Sequence, residues 1–179
     1  MDVEFEAWPK IPRHKGANVI ISEKIDGTNS AIIIRDGVVV GCQSRNRLIT
    51  PENDNFGFAR WVSENGDELA GLGDGRHFGE WAGPGIQKNP HGFSSKKFML
   101  FNTSRWAEDK PPCCDVVSVL YSGEIGHDTV GDVMSELRAS SLAAGYKAEG
   151  VIIYYVNTRT FEKATFDNPN GKWARKLAA

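Results

Sequence analysis

The sequence predicts an α+β domain in which antiparallel strands predominate, and three observations lead to this fold class. Short apolar runs rich in β-branched residues recur along the chain, which is typical of strands. The turns between neighbouring runs are short, and a two-residue turn such as Asp36-Gly37 joins antiparallel strands. Only two or three segments have helical patterns, so a repeated strand-helix-strand unit is not expected.

The first predicted strands lie between residues 18 and 40. Val19-Ile20-Ile21 is apolar and β-branched, as strands commonly are. Ala31 to Ile34 and Val38 to Val40 flank Asp36-Gly37, a strong signal for a two-residue hairpin turn. We therefore expect an antiparallel hairpin here.

The middle of the chain predicts one helix followed by two strands. Asn53 to Leu69 has a mixed apolar face and is expected to be helical. Arg76 to Ala82 and Lys97 to Phe101 are predicted strands. Glycine is frequent, at 19 residues, which fits many turns and short strands.

The last third predicts a second helix and a closing hairpin. Thr129 and Asp132 match a Thr-x-x-Asp helix start, and Gly145 is expected to end that helix after Ala144. Val151 to Val156 and Thr160 to Phe166 are predicted to pair as strands. A short terminal helix is expected over residues 172–179.

Length and composition favour one domain over residues 1–179. The chain has 179 residues, 40% of them hydrophobic, which suffices for a core. It has no apolar stretch of membrane-spanning length and no signal-peptide pattern, so we expect no membrane and a cytoplasmic location. Three cysteines, two of them adjacent, predict neither a disulfide framework nor a zinc site.

Charge is unevenly distributed, although the net charge is only −2. Basic residues outnumber acidic ones in residues 10–47 and 147–179, and the reverse holds in residues 48–146. If the two ends meet in space, they form a local positive surface suited to a phosphate ligand. Segregation of this kind also arises by chance in a short chain.

Four segments carry candidate functional residues. Lys24-Ile25-Asp26-Gly27-Thr28-Asn29 lies between two predicted strands, Glu80 precedes a Gly-Pro-Gly turn, and Glu149 stands at the start of an apolar strand. Lys163 and Lys172 lie in the basic terminal region. Taken alone, each segment also fits an ordinary turn, strand end or solvated surface.

In this order and together, the segments resemble the covalent nucleotidyltransferase superfamily of ATP-dependent ligases and capping guanylyltransferases. The closer resemblance is to phage-type RNA-repair ligases and RNA-editing ligases, and it covers almost the whole chain. Lys24 to Asn29 is similar to the nucleophile motif, and Ser44-Arg45 to the short motif after the first hairpin. The stretch around Glu80 is similar to the family's Gly-Glu-x-x-Gly-Pro-Gly motif.

The later motifs extend the resemblance. Phe98 to Asn102 resembles the strand that supplies an aromatic nucleobase platform, with Phe101 at the platform position. Glu149-Gly150 resembles the metal-site motif, and Lys163 with Lys172 resembles the last lysine motif. There are two departures. Thr165 stands where the family usually has a second lysine, which leaves open whether Lys172 replaces it, and Asn102 stands where Asp is frequent.

The resemblance implies an antiparallel-sheet adenylation domain, with no evident C-terminal domain, that uses ATP and Mg²⁺ or Mn²⁺. It implies Lys24 as nucleophile, Glu149 as metal ligand, and Lys163 and Lys172 as catalytic contacts to the α-phosphate. The other implied nucleotide-site residues are Glu80 at the ribose, Phe101 on the adenine, Asn29 and Arg45 at the RNA end or its phosphate, and Asp26 and Gly27 in the loop.

The implied activity is RNA ligation through lysyl-AMP, joining a 5′-phosphate end to a 3′-hydroxyl. Three alternatives stay open: a minimal DNA ligase or DNA-end repair enzyme, a capping guanylyltransferase, and a nucleotide- or RNA-end-binding module without turnover. Many relatives carry a second, C-terminal domain. The chain is therefore expected to act as a minimal catalytic domain, to borrow that domain from a partner chain, or to adenylate well and seal poorly.

Overall fold

The computed structural model describes residues 16–168, which form two β-sheets with helices packed on them. The strands are β1 (Asn18–Glu23), β2 (Thr28–Arg35), β3 (Val38–Ser44), β4 (Leu48–Ile49), β5 (Gly75–Ala82), β6 (Lys97–Leu100), β7 (Cys114–Val116), β8 (Val119–Glu124), β9 (Gly150–Tyr155) and β10 (Thr160–Thr165). The α-helices are α1 (Phe58–Glu64), α2 (Gly66–Leu69), α3 (Thr103–Trp106) and α4 (Thr129–Ala143), and Ala70–Leu72 forms a 3-10 turn.

The larger sheet has six strands in the order β4-β3-β2-β5-β6-β7. All its neighbours pair antiparallel except β6 and β7, which are parallel. One face carries Trp81 and Phe98, whose rings lie 5.3 Å and 5.1 Å from the ring of Phe58 in α1. This aromatic contact lies in the main core and joins α1 to the sheet.

The smaller sheet has four strands in the order β10-β9-β1-β8, all antiparallel. Alternate residues of its central strands, such as Ile21 and Ile153, are fully buried. They share a second apolar core with Val130 and Met134 of α4. The other face of this sheet is only half-buried along the same strands, for example at Ile152.

The predicted hairpin turn is confirmed at Asp36-Gly37. Both residues have positive φ angles, 51° and 71°, as a two-residue hairpin turn of this type requires. The Asp74 carboxylate accepts hydrogen bonds from both backbone amides, at 3.1 Å and 2.9 Å. The turn between β2 and β3 is thereby tied to the chain just before β5.

The helix predicted over Asn53 to Leu69 is shorter than expected, because α1 begins only at Phe58. Phe56 and Gly57 have positive φ angles, 54° and 83°, which no right-handed helix accommodates. The Asp54 carboxylate stabilises the first turn of α1 by accepting a hydrogen bond from the Ala59 amide at 2.7 Å. A second break separates α1 from α2.

The helix predicted to begin at Thr129 does so, and it ends as expected before Gly145, whose φ is 85°. The predicted cap is wrong, because Asp128 occupies the cap position. The Thr129 hydroxyl instead accepts from the Gly126 amide at 2.9 Å, and so stabilises the preceding turn.

The helix predicted over residues 172–179 lies outside the described residues. Within residues 16–168, no helix is long and apolar enough to cross a membrane.

Candidate active site

Lys24 lies immediately after β1, beside the start of β9. Its backbone amide donates to the Gly150 carbonyl at 2.9 Å, which continues the β1–β9 pairing by one residue. The Lys24 side chain therefore stands next to Glu149. The motif containing the predicted nucleophile and the motif containing the predicted metal ligand meet at one sheet end.

The Lys24 amine and the Glu149 carboxylate form an ion pair. Lys24 Nζ lies 2.6 Å from each Glu149 oxygen. The two side chains are 23% and 27% exposed, so the pair is accessible from solvent. This contact between residues 125 positions apart was not predicted, although both residues were predicted site residues.

Glu80 comes from the larger sheet and is almost fully buried, with 7% exposure. It pairs with Asn29 in the β2–β5 register, and Asn29 Nδ2 donates to Glu80 Oε2 at 2.7 Å. Burial raises the pKa of Glu80 to about 7, although Lys24 and the Asn29 hydrogen bond act in the opposite direction. Glu149 and Asp26 add to the rise. Glu80 is thus a hydrogen-bonding carboxyl that titrates near neutrality.

Two glycines let these elements approach each other. A Cβ at Gly27 would lie 2.5 Å from the Trp81 carbonyl oxygen and 2.9 Å from Glu80 Cγ. A Cβ at Gly150, whose φ is 151°, would overlap the Ala164 carbonyl oxygen. The glycine of each motif therefore serves backbone packing, which holds Lys24 near Glu80 and β9 against β10.

Asp26 anchors a neighbouring loop. Its carboxylate accepts from the Lys88 backbone amide at 3.3 Å, in the segment 83–96 that follows β5. This supports a role in shaping the site. Trp81, next to Glu80 in sequence, faces the opposite way into the core and is 1% exposed, so it is a packing residue.

Phe101 follows β6, and its amide donates to the Phe78 carbonyl at 3.0 Å. Glu80 pairs with Met99, so these two side chains lie on the same face of the sheet. Phe101 is two residues after Met99, and strand residues two apart share a face, so Phe101 also lies on that face. The Phe101 side chain is 42% exposed. An aromatic ring is thus available on the side of the sheet that carries the site carboxyl.

Arg45 is exposed just beyond β3. Ser30 pairs with Ser44, so extension of this register places Arg45 level with Asn29.

Lys163 in β10 is exposed and pairs with Ile152, which also pairs with Ser22. Because Lys24 lies two residues after Ser22, Lys163 shares the sheet face of Lys24. Thr165, at the position of the missing family lysine, pairs with Gly150 and so stands level with Lys24. Lys172 lies outside the described residues.

A metal site built from three or more His, Cys, Asp or Glu side chains is absent among residues 16–168. The chemistry of the donor set nevertheless fits a hard cation at Glu149, because carboxylate oxygens are the ligands such cations prefer and Mg²⁺ keeps several of its waters.

A polar cluster around the buried Glu23 carboxyl, next to Lys24 in sequence, was missed from the sequence. It consists of Glu23, His91 and Tyr146, and Glu23 is the residue directly before the nucleophile. The one local signal is an acidic residue at a position where the alternation of β1 requires burial. The partners come from distant segments that carry no recognisable spacing.

Comparison with known proteins settles the family. The model of the RNA ligase family matches residues 17–173. The chain belongs to the RNA ligase family. The resemblance predicted from the order of the motifs is therefore confirmed.

Solved structures of RNA ligase from Naegleria gruberi have a similar fold. A variant with ATP and manganese matches with a TM-score of 0.64 and 20% identity, over 86% of this chain and 51% of that chain. The enzyme with pyrophosphate matches with a TM-score of 0.61 and 21% identity, over 85% and 50% respectively. These matches confirm the predicted α+β fold with mainly antiparallel sheets. This RNA ligase family chain spans about half the length of those solved chains.

Proposed function

We propose that this chain is an ATP-dependent RNA ligase that acts through a covalent lysyl-AMP intermediate. The observation that carries the proposal is the meeting of Lys24 and Glu149 at 2.6 Å, with the buried Glu80 close enough for both to influence its pKa. An amine nucleophile and a carboxylate that would hold a divalent ion suit nucleotidyl transfer to lysine, and the buried carboxyl would bind the nucleotide by hydrogen bonds.

In the first proposed step, Lys24 Nζ forms a bond to the α-phosphorus of ATP. The bond from that phosphorus to the bridging oxygen breaks, and pyrophosphate leaves. An amine attacks only without its extra proton, so Lys24 has to leave the ion pair with Glu149 and give up a proton to solvent, which reaches this pair. Lys163, on the same sheet face, would neutralise phosphate charge; Lys172 is proposed for the same role.

The divalent ion, Mg²⁺ or Mn²⁺, would bind at Glu149. When bound, it supplies positive charge that stabilises the phosphate oxygens and the leaving group. The same carboxylate pairs with the Lys24 ammonium in this structure, so Glu149 would serve both the ion and the nucleophile.

The nucleoside would be held by the larger sheet. Glu80 would hydrogen-bond the ribose hydroxyls, and Phe101 would stack on adenine, a contact of about 1–3 kcal/mol in nucleic-acid systems. Asn29 and Arg45, level with each other on neighbouring strands, would orient the RNA end or its phosphate. Arg45 suits this role because its planar guanidinium binds two phosphate oxygens at once.

In the remaining steps, a 5′-phosphate oxygen of RNA would attack the phosphorus of lysyl-AMP and release Lys24. A 3′-hydroxyl would then attack the activated 5′-phosphate, join the two ends and release AMP. The sealing step, and a partner chain that would contribute a second domain to it, are part of this proposal.

The test is the intact mass of the protein after incubation with ATP and Mg²⁺ or Mn²⁺. We expect a gain of one AMP in the native chain and none in a Lys24→Ala variant that melts at a similar temperature. Absence of the adduct in the native chain, also after pyrophosphate treatment to remove any pre-bound AMP, would overturn the proposal and favour a nucleotide-binding module.

The RNA preference has its own test. Nicked duplexes that differ only in an RNA or DNA 3′-end should be sealed faster with RNA at the 3′-end. Faster sealing of the DNA end would point to the DNA-repair alternative with the same chemistry.

A further inference from the structure

Three segments far apart in sequence meet in the polar cluster around the buried Glu23 carboxyl. Glu23 ends β1, His91 lies in the segment 83–96 after β5, and Tyr146 follows α4. His91 Nε2 and the Tyr146 hydroxyl each lie 3.0 Å from Glu23 Oε1. The side chains of His91 and Glu23 are only 6% and 7% exposed, so this carboxylate depends on the two protein donors rather than on water.

Both hydrogen bonds are accepted by the same oxygen, Glu23 Oε1, so His91 and Tyr146 both act as donors. His91 donates from Nε2, so in its neutral form Nδ1 is a bare acceptor, and Nδ1 is buried with no hydrogen-bond partner among the described residues. Burial and the Glu23 carboxylate raise the pKa of Tyr146 to about 12, so its hydroxyl stays protonated and donates. Each ring therefore contributes one donor to Glu23.

The rings are also held by stacking. The His91 ring lies 5.1 Å from the Phe93 ring at an interplanar angle of 14°, and 4.9 Å from the Tyr146 ring at 30°. Aromatic contacts of this geometry fix ring orientation as well as contributing burial. The two donor side chains are therefore held in a fixed orientation next to the Glu23 carboxylate.

The segment 83–96 contacts the nucleophile loop on both sides of Lys24. His91 binds Glu23, one residue before Lys24, and the Lys88 amide binds Asp26, two residues after it. The backbone of Glu23 is held as well, since its amide donates to Ser118 at 2.9 Å. Lys24 is therefore bracketed by two contacts to a single neighbouring segment.

We infer that His91 and Tyr146 are positioning residues that act through Glu23 to hold Lys24 in line for attack, an inference that rests on the proposed lysyl-AMP chemistry. Removal of either donor leaves a buried carboxylate under-satisfied, and Glu23 then moves toward other partners. Because Lys24 is the next residue, this movement shifts the nucleophile, and a misplacement of about 1 Å reduces rates by up to about 100-fold.

The experiment measures single-turnover lysyl-AMP formation against ATP concentration, by intact mass, in the full chain. Tyr146→Phe removes one hydroxyl, and His91→Phe removes the donor while keeping a stacked ring. We expect the maximal rate to fall roughly 5-fold and 30-fold respectively, with the half-saturating ATP concentration changed less than about 2-fold. His91→Gln, which keeps a donor near the Nε2 position, should recover most of the loss.

Tyr121→Phe is the matched control, because the Tyr121 hydroxyl donates to the exposed Glu124 carbonyl at 2.8 Å, away from Lys24. This variant should react at the native rate. Native maximal rates in folded Tyr146→Phe and His91→Phe would overturn the inference. A loss found only in the half-saturating ATP concentration would do so too, since that would make the cluster a binding feature.

A second readout separates this inference from the proposed function. Competitive labelling of lysines with an amine-reactive ester, followed by peptide mass analysis, reports on Lys24 without ATP. Loss of positioning should weaken the pair with Glu149 and make Lys24 label faster relative to the other lysines. A native chain that forms no adduct defeats the proposed function, and unchanged Lys24 labelling in both variants defeats the positioning role.

Discussion

The surroundings of Glu149 and Glu80 differ although both carboxyls lie in the neighbourhood of Lys24. Glu149 is partly exposed and bonds to the amine through both oxygens. Glu80 is buried, bonds to the neutral amide of Asn29, and has a pKa raised to about 7. Exposure and partner type therefore distinguish two chemically similar side chains: Glu149 is the proposed cation ligand, and Glu80 is the proposed hydrogen-bonding carboxyl.

The comparison predicts its largest effect at Glu149. Glu149→Ala should lower the rate of lysyl-AMP formation by roughly 1,000-fold, about 4 kcal/mol, because it removes the carboxylate proposed to hold the metal. Single-turnover mass measurements at saturating ATP and Mn²⁺ check this, with Glu149→Gln as the variant of equal size. A rate equal to or above the native one would show that the carboxylate only restrains the Lys24 amine.

Glu80 should make stability depend on pH. Since burial favours its protonated form, the folded state binds this proton more tightly than the unfolded chain, and ionisation opposes folding. Relative to Glu80→Gln, the native chain should lose roughly 3 kcal/mol of unfolding free energy as pH rises from about 4.5 to about 7, and no more above that range.

Urea unfolding of both proteins at a series of pH values measures this difference. The exposed Glu64→Gln variant supplies the baseline for loss of an ordinary surface carboxyl. If the difference in unfolding free energy between the native chain and Glu80→Gln stays constant across the pH range, burial does not raise the pKa of Glu80. The contrast with the partly exposed Glu149 would then be wrong.

The contact that brings the two carboxyl regions together should be sensitive to one methyl group. Gly27→Ala places a Cβ against the Trp81 carbonyl and Glu80 Cγ, so we expect a loss of about 2 kcal/mol in the unfolding free energy and slower adduct formation. Gly41→Ala is the control, because no atom lies within 4 Å of its added Cβ. Equal unfolding free energies of the two variants in chemical denaturation would show that close packing at Gly27 does not limit the site.

The smallest expected effect concerns Asn29. The hydrogen bond from its side-chain amide lowers the pKa of Glu80, so Asn29→Ala should raise that pKa above about 7, by roughly one pH unit. Carbon-13 NMR titration of the Glu80 carboxyl measures it directly. A downward shift would mean that water replaces Asn29 and that burial is not the dominant cause.

The sequence identified elements whose signals are local. The turn at Asp36-Gly37 and the strands β5, β6, β9 and β10 follow from turn chemistry or from apolar runs. By contrast, β8 was missed because none of its residues is fully buried and its burial pattern has no regular alternation. Strands β4 and β7 have two and three residues, too few for any pattern.

The site was predictable where a motif carried it and not where tertiary contacts built it. Lys24, Glu80 and Glu149 were singled out by their motifs; Lys24 contacts Glu149, and both influence the pKa of Glu80, while their roles stay predictions. The direct Lys24–Glu149 pair and the His91–Glu23 bond join residues 125 and 68 positions apart, and nothing local marks either contact. Partner choice at such distances depends on sheet order and on loop paths, which a single sequence does not specify.

The close approach at Gly150 bears on protein design. Because a Cβ there would overlap the Ala164 carbonyl, the position of Glu149 depends on β10 lying directly against β9. A graft that copied only the Lys24 and Glu149 side chains onto another scaffold would lack this spacing. The transferable unit is the three-stranded patch of β1, β9 and β10, with its glycine, rather than a pair of residues.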